Sequence, residues 1–144
     1  MPTGARKDPY RNHNFLIEID GITRAGFREC SGLDSAQDPI DYREGTDPLH
    51  VRKLPGMVKF SNIVLKWGIS DDVDLYQWAQ KATKGSVERK NGSIVLLDEA
   101  GAEKARWNFR EAWPAKWTGP TFNATANEVA IETLEIAHEG VSRA

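Results

Sequence analysis

Short runs of strand-forming residues, each closed by turn residues, are the feature that most constrains this fold. Residues 15–19 read Phe-Leu-Ile-Glu-Ile and precede Asp20-Gly21, a dipeptide favoured in two-residue hairpin turns because both positions take a positive φ. Residues 22–31 then form the predicted returning strand. Further runs of this type are found at 40–42, 58–68, 94–97 and 105–111. Such a series of short strands predicts a β-sandwich or β-barrel.

One segment has helical periodicity instead. Apolar residues recur at intervals of three and four residues, at Leu75, Trp78, Ala79 and Ala82. Ser70-Asp71-Asp72 offers side-chain oxygens to cap a helix start, and Gly85 has the position of a C-terminal cap. We therefore predict one short helix packed on the sheets.

The interval 128–138 fits both patterns. Its Ala, Glu and Leu residues favour a helix, whereas Val129, Ile131, Thr133 and Ile136 are β-branched and favour a strand. Periodicity alone does not decide between the two.

Three segments have little regular pattern. Residues 1–13 are polar and are predicted to form a loose N-terminal arm. Residues 43–57, rich in Pro, Gly and charge, are predicted to form a long exposed loop, and loops of that length are usually functional. Residues 112–123 are predicted to be irregular, with Trp113 and Trp117 fixing a loop or filling an interface.

Composition excludes several classes of protein. The length of 144 residues predicts a single domain over 1–144. The net charge of −2 is spread evenly, so no basic surface for nucleic acid is expected. One cysteine excludes an intrachain disulfide framework. The first residues lack the apolar stretch of a secretory signal, so we expect synthesis in the cytoplasm without a signal peptide.

Catalytic motifs are missing from the sequence. It has no Gly-x-Ser-x-Gly elbow, no glycine-rich phosphate loop and no His-Glu-x-x-His. His13, His50 and His138 are far apart in sequence and are predicted to be scattered. Cys30 is predicted to be a small buried strand residue. We therefore predict no enzyme activity, no cofactor and no metal site.

An ordered set of segments resembles a known family. The segments are Tyr42-Arg43-Glu44-Gly45, Lys53-Leu54-Pro55-Gly56, 63–68 (Ile-Val-Leu-Lys-Trp-Gly), Leu75-Tyr76-Gln77-Trp78, Arg106-Trp107-Asn108-Phe109, 112–117 (Ala-Trp-Pro-Ala-Lys-Trp) and 130–139. In order and spacing they resemble the tail tube proteins of contractile-tailed phages and of phage-derived contractile injection systems, a family similar in fold to the type VI secretion tube protein.

The resemblance implies an architecture and a set of partners. It implies a mainly β fold of two antiparallel sheets in a sandwich or barrel, with one short flanking helix, and it makes 128–138 a strand. Subunits of this family form six-fold rings that stack into a hollow tube. The implied partners are further copies of the chain, the contractile sheath protein, baseplate or hub proteins, a tail terminator, and a tape-measure protein, DNA or protein cargo in the channel. The mature form is implied to be part of a phage tail or an extracellular injection particle.

The resemblance also implies two groups of site residues. The extended loop would contact the neighbouring subunit and the adjacent ring through Arg43, Glu44, Gly45, Asp47, Arg52, Lys53, Leu54, Pro55 and Gly56. The channel would be lined by Asn62, Lys66 and Glu132.

Three other interpretations remain open at this point. A monomeric β-barrel would bind a small ligand near Trp113 and Trp117, and a small hydrolase would use Cys30 with a distant histidine. Within the tube family, the chain would be a baseplate-proximal tube initiator rather than the main repeating subunit.

Overall fold

The computed structural model describes residues 14–20, 22–46, 49, 51–125 and 130–144. The expected N-terminal arm, the turn residue Gly21, and Asp47 and His50 lie outside these residues. The described elements are β1 (Phe15–Ile19), β2 (Ile22–Arg24), β3 (Phe27–Ser31), β4 (Ser35–Tyr42), β5 (Arg52–Phe60), β6 (Ile63–Gly68), α1 (Asp74–Thr83), β7 (Lys90–Leu97), β8 (Glu103–Thr118), β9 (Ile131–Ala137) and β10 (Gly140–Arg143). The predicted mainly β fold with a single short helix is confirmed.

The long strand β8 belongs to two sheets. Its first part pairs with β7 and β10, and its last six residues pair with β9. The first sheet therefore has the order β2-β1-β7-β8-β10, and the second has the order β8-β9-β6-β3. All of these pairings are antiparallel.

The passage of β8 from one sheet to the other occurs at Glu111. This residue has a φ of 52°, which is uncommon for any residue but glycine. Its backbone N–H donates to Oδ1 of Asn91 at 2.9 Å, and the register between β7 and β8 shifts at the same place. A bulge of this type bends a strand, which lets one strand serve both sheets.

The core lies between the two sheets and follows the two-residue period of the strands. The helix closes it by burying Leu75, Trp78 and Ala79, and the Trp78 indole N–H donates to the Glu88 carbonyl at 3.0 Å. The main strand residues of this core are Ile17, Ile19, Phe27, Ile63, Leu65, Trp67, Ile94, Phe109, Leu134 and Ile136.

Arg24 is a buried cation within this otherwise apolar region. Its guanidinium lies 4.8 Å from the centre of the Trp67 ring. It donates to the Ser70 hydroxyl and to the Asp72 carbonyl, each at 3.4 Å, and its Nε is 3.7 Å from the Asp72 carboxylate. These contacts pair the buried charge, as burial requires, and attach β2 to the connection before the helix.

The helix ends were predicted only in part. Helix α1 begins at Asp74 after Val73, which caps it without a side-chain hydrogen bond. Ser70 and Asp72 instead accept hydrogen bonds within the preceding turn, Asp72 from the Asp74 N–H at 3.1 Å. Gly85 does follow the helix, with a φ of 91°, as predicted.

Several strand boundaries differ from the prediction. The single returning strand expected at 22–31 is two strands, β2 and β3, and the one expected at 58–68 is divided between β5 and β6. Residues 112–118 were expected to be irregular but continue β8, where Pro114 pairs with Ile136. Proline is compatible with this strand because β9 is the only paired neighbour of 113–118 among the described residues. The strand interpretation of 128–138 is confirmed for 131–137.

Candidate assembly surfaces

The segment predicted as an extended loop is largely a β-hairpin. Strands β4 and β5 pair with each other from Ser35↔Phe60 to Tyr42↔Arg52 and form a separate two-stranded sheet. The expectation of a loop throughout 43–57 is therefore wrong for 52–57, which lie in β5. Both faces of this hairpin are exposed, and so is every residue of β4. The sequence therefore lacks the alternation of apolar and polar residues that marks a half-buried strand.

Polar contacts within the hairpin hold its shape. Lys53 pairs with Asp41, and Lys59 lies 2.9 Å from Asp38. The Tyr42 hydroxyl donates to the Glu44 carboxylate, and this hydrogen bond raises the pKa of Tyr42. Gly56 stands where the register shifts, and a Cβ there would be 2.5 Å from the Asp38 carbonyl oxygen. Only glycine allows the two strands to approach this closely.

The hairpin also exposes many apolar side chains. Leu49 at its turn is 98% exposed. Others that are well exposed are Ile40, Tyr42, Val51, Leu54, Met57 and Val58. An isolated two-stranded hairpin is at best marginally stable in water, and clustered exposed apolar side chains mark interaction sites. These properties indicate a surface that another chain covers.

The hairpin brings together most of the residues predicted to contact other subunits. Arg43, Glu44 and Gly45 lie in its turn. Strand β5 carries Arg52, Lys53, Leu54, Pro55 and Gly56. Asp47 lies outside the described residues.

The outer face of the second sheet carries two ion pairs, together with the apolar residues Val64 and Ala137. Lys66 of β6 lies 3.6 Å from Glu29 of β3, and Lys116 of β8 lies 4.0 Å from Glu135 of β9. Thr133 of β9 is on the same face, where it is paired with Lys66 of β6 on one side and with Thr118 of β8 on the other. Each positive charge on this face is next to a negative one.

The predicted channel residues do not share one face. Lys66 is on the outer face of the second sheet, and Asn62 is exposed in the connection before β6. Glu132 pairs with Trp67 on the core side, where its carboxylate accepts a hydrogen bond from the Trp117 indole at 3.4 Å. Glu132 has the parity of Leu134 and Ile136, so the structure separates it from Lys66.

The second sheet has two open edges. Within the described residues, β3 pairs only with β6, and the last six residues of β8 pair only with β9. Unpaired backbone N–H and C=O groups at such edges are ready to pair with another strand. Sequence reasoning did not locate these edges, because strand order depends on contacts between distant residues.

Among the residues that the structure describes, no catalytic arrangement surrounds the candidate nucleophile. Cys30 lies beside Phe15, Ile94 and Trp107 at a cavity of about 250 Å³. Burial, together with the nearby Glu29 charge, raises the pKa of the Cys30 thiol to about 12. His138, the one histidine among the described residues, contacts the Ser61 carbonyl at 2.9 Å. The described residues contain no group of three His, Cys, Asp or Glu side chains suited to a metal ion.

The state of Cys30 can be tested by alkylation. We expect iodoacetamide at pH 8 to modify the native protein at least tenfold more slowly than the protein unfolded in urea, because the thiolate is the nucleophile and a thiol with a pKa of about 12 stays protonated. Mass spectrometry over time measures both rates. Equal rates in the two states would show that the thiol is exposed and ionisable.

The aromatic residues of the ligand-barrel interpretation have other contacts. Trp113 pairs with Ala137, and the Trp117 ring packs against Tyr76 of the helix at a centroid distance of 4.9 Å.

Helix α1, ten residues long, is too short to span a membrane, and the described part of the chain has no other helix.

The described residues thus present an exposed hairpin and a sheet with two unpaired edges. The family model for the T4-like virus tail tube protein gp19 matches residues 11–142. The chain belongs to the T4-like tail tube protein family. None of the curated proteins matches it significantly in sequence.

Solved structures agree with membership of the tail tube family. A chain in the structure of the anti-feeding prophage tube-terminating cap is 30% identical, with a TM-score of 0.87 over 99% of this chain and 95% of that one. A chain of the PVC sheath-tube complex in the extended state is 29% identical, with a TM-score of 0.84 over 94% and 91%. Hcp1 from Flavobacterium johnsoniae, 17% identical, shares the fold with a TM-score of 0.58 over 90% and 94%. This protein is a structural tube subunit of a contractile injection system.

Proposed function

We propose that this tail tube protein closes into six-membered rings that stack to form the inner tube of a contractile injection particle. The observation that carries the proposal is the pair of open edges on the second sheet. In a closed ring, one edge of the second sheet in each copy pairs with the opposite edge in the next copy. No edge of that sheet then stays unpaired.

The strand directions suit this closure. Successive strands of the second sheet are antiparallel, so β3 at one edge and β8 at the other run in opposite directions. Rotation about a ring axis keeps the direction of each strand relative to that axis. Strand β8 of one subunit therefore meets β3 of its neighbour in antiparallel orientation, which continues the pattern of the sheet around the ring.

We propose the outer face of the second sheet as the wall of the channel, with Lys66 on it. Channel lining by Asn62, in the connection before β6, and by Glu132 stays a prediction. A barrel of many strands encloses an aqueous lumen, which suits the face that carries the ion pairs better than the face buried in the core. The pairs Lys66–Glu29 and Lys116–Glu135 leave this wall without an excess of positive charge. Such a wall does not retain a polyanion, so cargo can slide along it.

Further partners follow from the similar structures and belong to this proposal. The related chains come from a sheath-tube complex, a baseplate resolved with six-fold symmetry and a terminating cap. We propose that the present chain likewise contacts a sheath, a baseplate and a terminator within an extracellular particle, and that it has no catalytic role.

Electron microscopy of the purified protein tests the proposal. Negative-stain images at high concentration are expected to show six-fold rings and stacked tubes, and light scattering should show a mass that rises with concentration. If the protein remains monomeric at every concentration, the proposed ring is wrong, because the sheet edges of an isolated subunit then stay unpaired.

A further inference from the structure

The two open edges of the second sheet carry opposite charges on their outer face. Glu29 lies on the β3 edge, where its carboxylate is 3.6 Å from the Lys66 ammonium. Lys116 lies on the β8 edge, 4.0 Å from the Glu135 carboxylate. From β8 through β9 and β6 to β3, the charges therefore read positive, negative, positive, negative. The side chains of Glu29 and Lys116 are 55% and 68% exposed, so each has room for a second partner.

This order of charges continues without interruption only where β3 of one copy meets β8 of another. Opposite charges on facing strands stabilise their pairing, and like charges destabilise it. A contact between β3 and β8 brings Glu29 to Lys116, whereas a contact between two identical edges brings Glu29 to Glu29 or Lys116 to Lys116. The charges thus favour the head-to-tail contact of a ring over a symmetric pair of subunits.

The faces of the strands limit how β3 and β8 can be aligned. In an antiparallel pair, residues directly opposite each other project to the same face of the sheet. The pairing of β3 with β6 places Glu29 and Ser31 on the outer face. The pairing of β8 with β9 places Trp113, Lys116 and Thr118 on that face. Glu29 can therefore lie opposite any one of these three residues.

The lengths of the two edges distinguish these alignments. With Glu29 opposite Lys116, all five residues of β3 lie within the span of 113–118. A shift towards Thr118 leaves the first two residues of β3 beyond the end of β8. A shift in the other direction carries the end of β3 to Glu111, where β8 bends into the first sheet. Only the alignment on Lys116 pairs the whole of β3.

We infer that β3 and β8 of neighbouring subunits join in the register that places Glu29 opposite Lys116, where the two side chains form an ion pair across the interface. This inference rests on the proposed ring and names the residues that align its subunits. A slip of two residues keeps every side chain on its own face, so burial alone does not exclude it. The complementary charges and the length of β3 both do.

Disulfide formation between subunits tests the register. The native cysteine is first removed by Cys30→Ala. In that background, Glu29→Cys with Lys116→Cys places two thiols opposite each other, and Glu29→Cys with Thr118→Cys is the matched control for the slipped register. Within one subunit, β9 and β6 separate the two edges by roughly 14 Å, from three strand spacings. Since a disulfide needs Cα atoms within about 7 Å, any disulfide formed joins two subunits.

Mild oxidation with copper phenanthroline followed by non-reducing electrophoresis gives the readout. Negative-stain images of the reduced proteins verify the rings. We expect a ladder of up to six linked chains from the Lys116→Cys protein, formed at least tenfold faster than from the Thr118→Cys protein. Rings that link equally fast in both proteins, faster through position 118, or in neither would overturn the inferred register while upholding the proposed function. Absence of rings from the natural protein would instead overturn the proposed function.

A double-mutant cycle tests the ion pair with the register left intact. Glu29→Gln and Lys116→Gln should each raise the concentration at which half of the protein is in rings by about two- to fivefold, an effect typical of one cross-strand charge pair. The double variant should raise it no further, because both changes remove the same contact. Lys104→Gln, which removes an exposed lysine 3.5 Å from Asp98, should leave it unchanged.

Sedimentation velocity measures these concentrations, and circular dichroism verifies the fold of each variant. An effect of the double variant equal to the product of the two single effects would show that the charges act independently. That result, or single variants that assemble like the natural protein, would overturn the ion pair.

Discussion

Replacement of residues 41–53 by Asn-Gly is expected to abolish tube formation while leaving a folded subunit. Ile40 and Leu54 are paired in the hairpin, so a two-residue turn between them closes a shortened hairpin in the existing register. The deleted part carries Leu49, Val51 and the turn, and those of its residues that the structure describes contribute no side chain to the core. Negative-stain microscopy should show a complete loss of tubes, with a melting temperature within a few degrees of the natural protein.

A charge exchange supplies the control for this deletion. The double variant Asp38→Lys, Lys59→Asp keeps the length of the hairpin and an ion pair between its strands. It should therefore still assemble. Tubes from the shortened protein would show that rings stack without the hairpin, and a large fall in its melting temperature would show that the hairpin supports the subunit core.

The substitution Trp67→Ala is expected to cause the largest loss of stability, about 3–5 kcal/mol in the free energy of unfolding. Trp67 is only 1% exposed, and its ring meets the Phe27 ring edge-on at 5.8 Å. Its removal leaves a cavity and also takes away the aromatic face that contacts the buried Arg24 guanidinium. Urea unfolding followed by circular dichroism measures the change.

Trp117→Ala provides the comparison for this substitution. The Trp117 ring is partly exposed, so Trp117→Ala should lower the free energy of unfolding by less than half as much as Trp67→Ala does. Equal losses for the two variants, or a loss below about 1 kcal/mol for Trp67→Ala, would contradict the position assigned to Trp67 at the centre of the core.

Strands and helices with one buried face were predictable from their residues. Leu65 and Trp67 on β6, and Leu75 and Trp78 on α1, repeat with the period of their element because burial selects apolar side chains on one side only. The hairpin of β4 and β5 gave no such pattern, since neither of its faces is buried in the subunit. The same reason applies to the end of β8, which was expected to be irregular: its last four residues, 115–118, are all exposed.

The sequence predicted no geometry for the candidate interface residues, and their role stays a prediction. The resemblance to tail tube proteins placed the interface residues at 43–56, and the structure gathers those it describes on one hairpin. Glu132 shows what only the structure decided. It has the parity of Leu134 on β9, and the Trp117 indole from a different strand donates a hydrogen bond to its carboxylate. Its place in a channel stays a prediction.

Local chemistry thus accounts for the class of fold, the short helix, the buried tryptophans and the absence of a catalytic motif, because each of these depends on residues that are neighbours in the chain. The position of each strand in its sheet depends on pairings between residues that are far apart in the chain. The bend of β8 at Glu111, which joins the two sheets, depends on such pairings as well. Those pairings are settled by the simultaneous burial of the whole core, and they are what make this subunit suited to a ring and a stack.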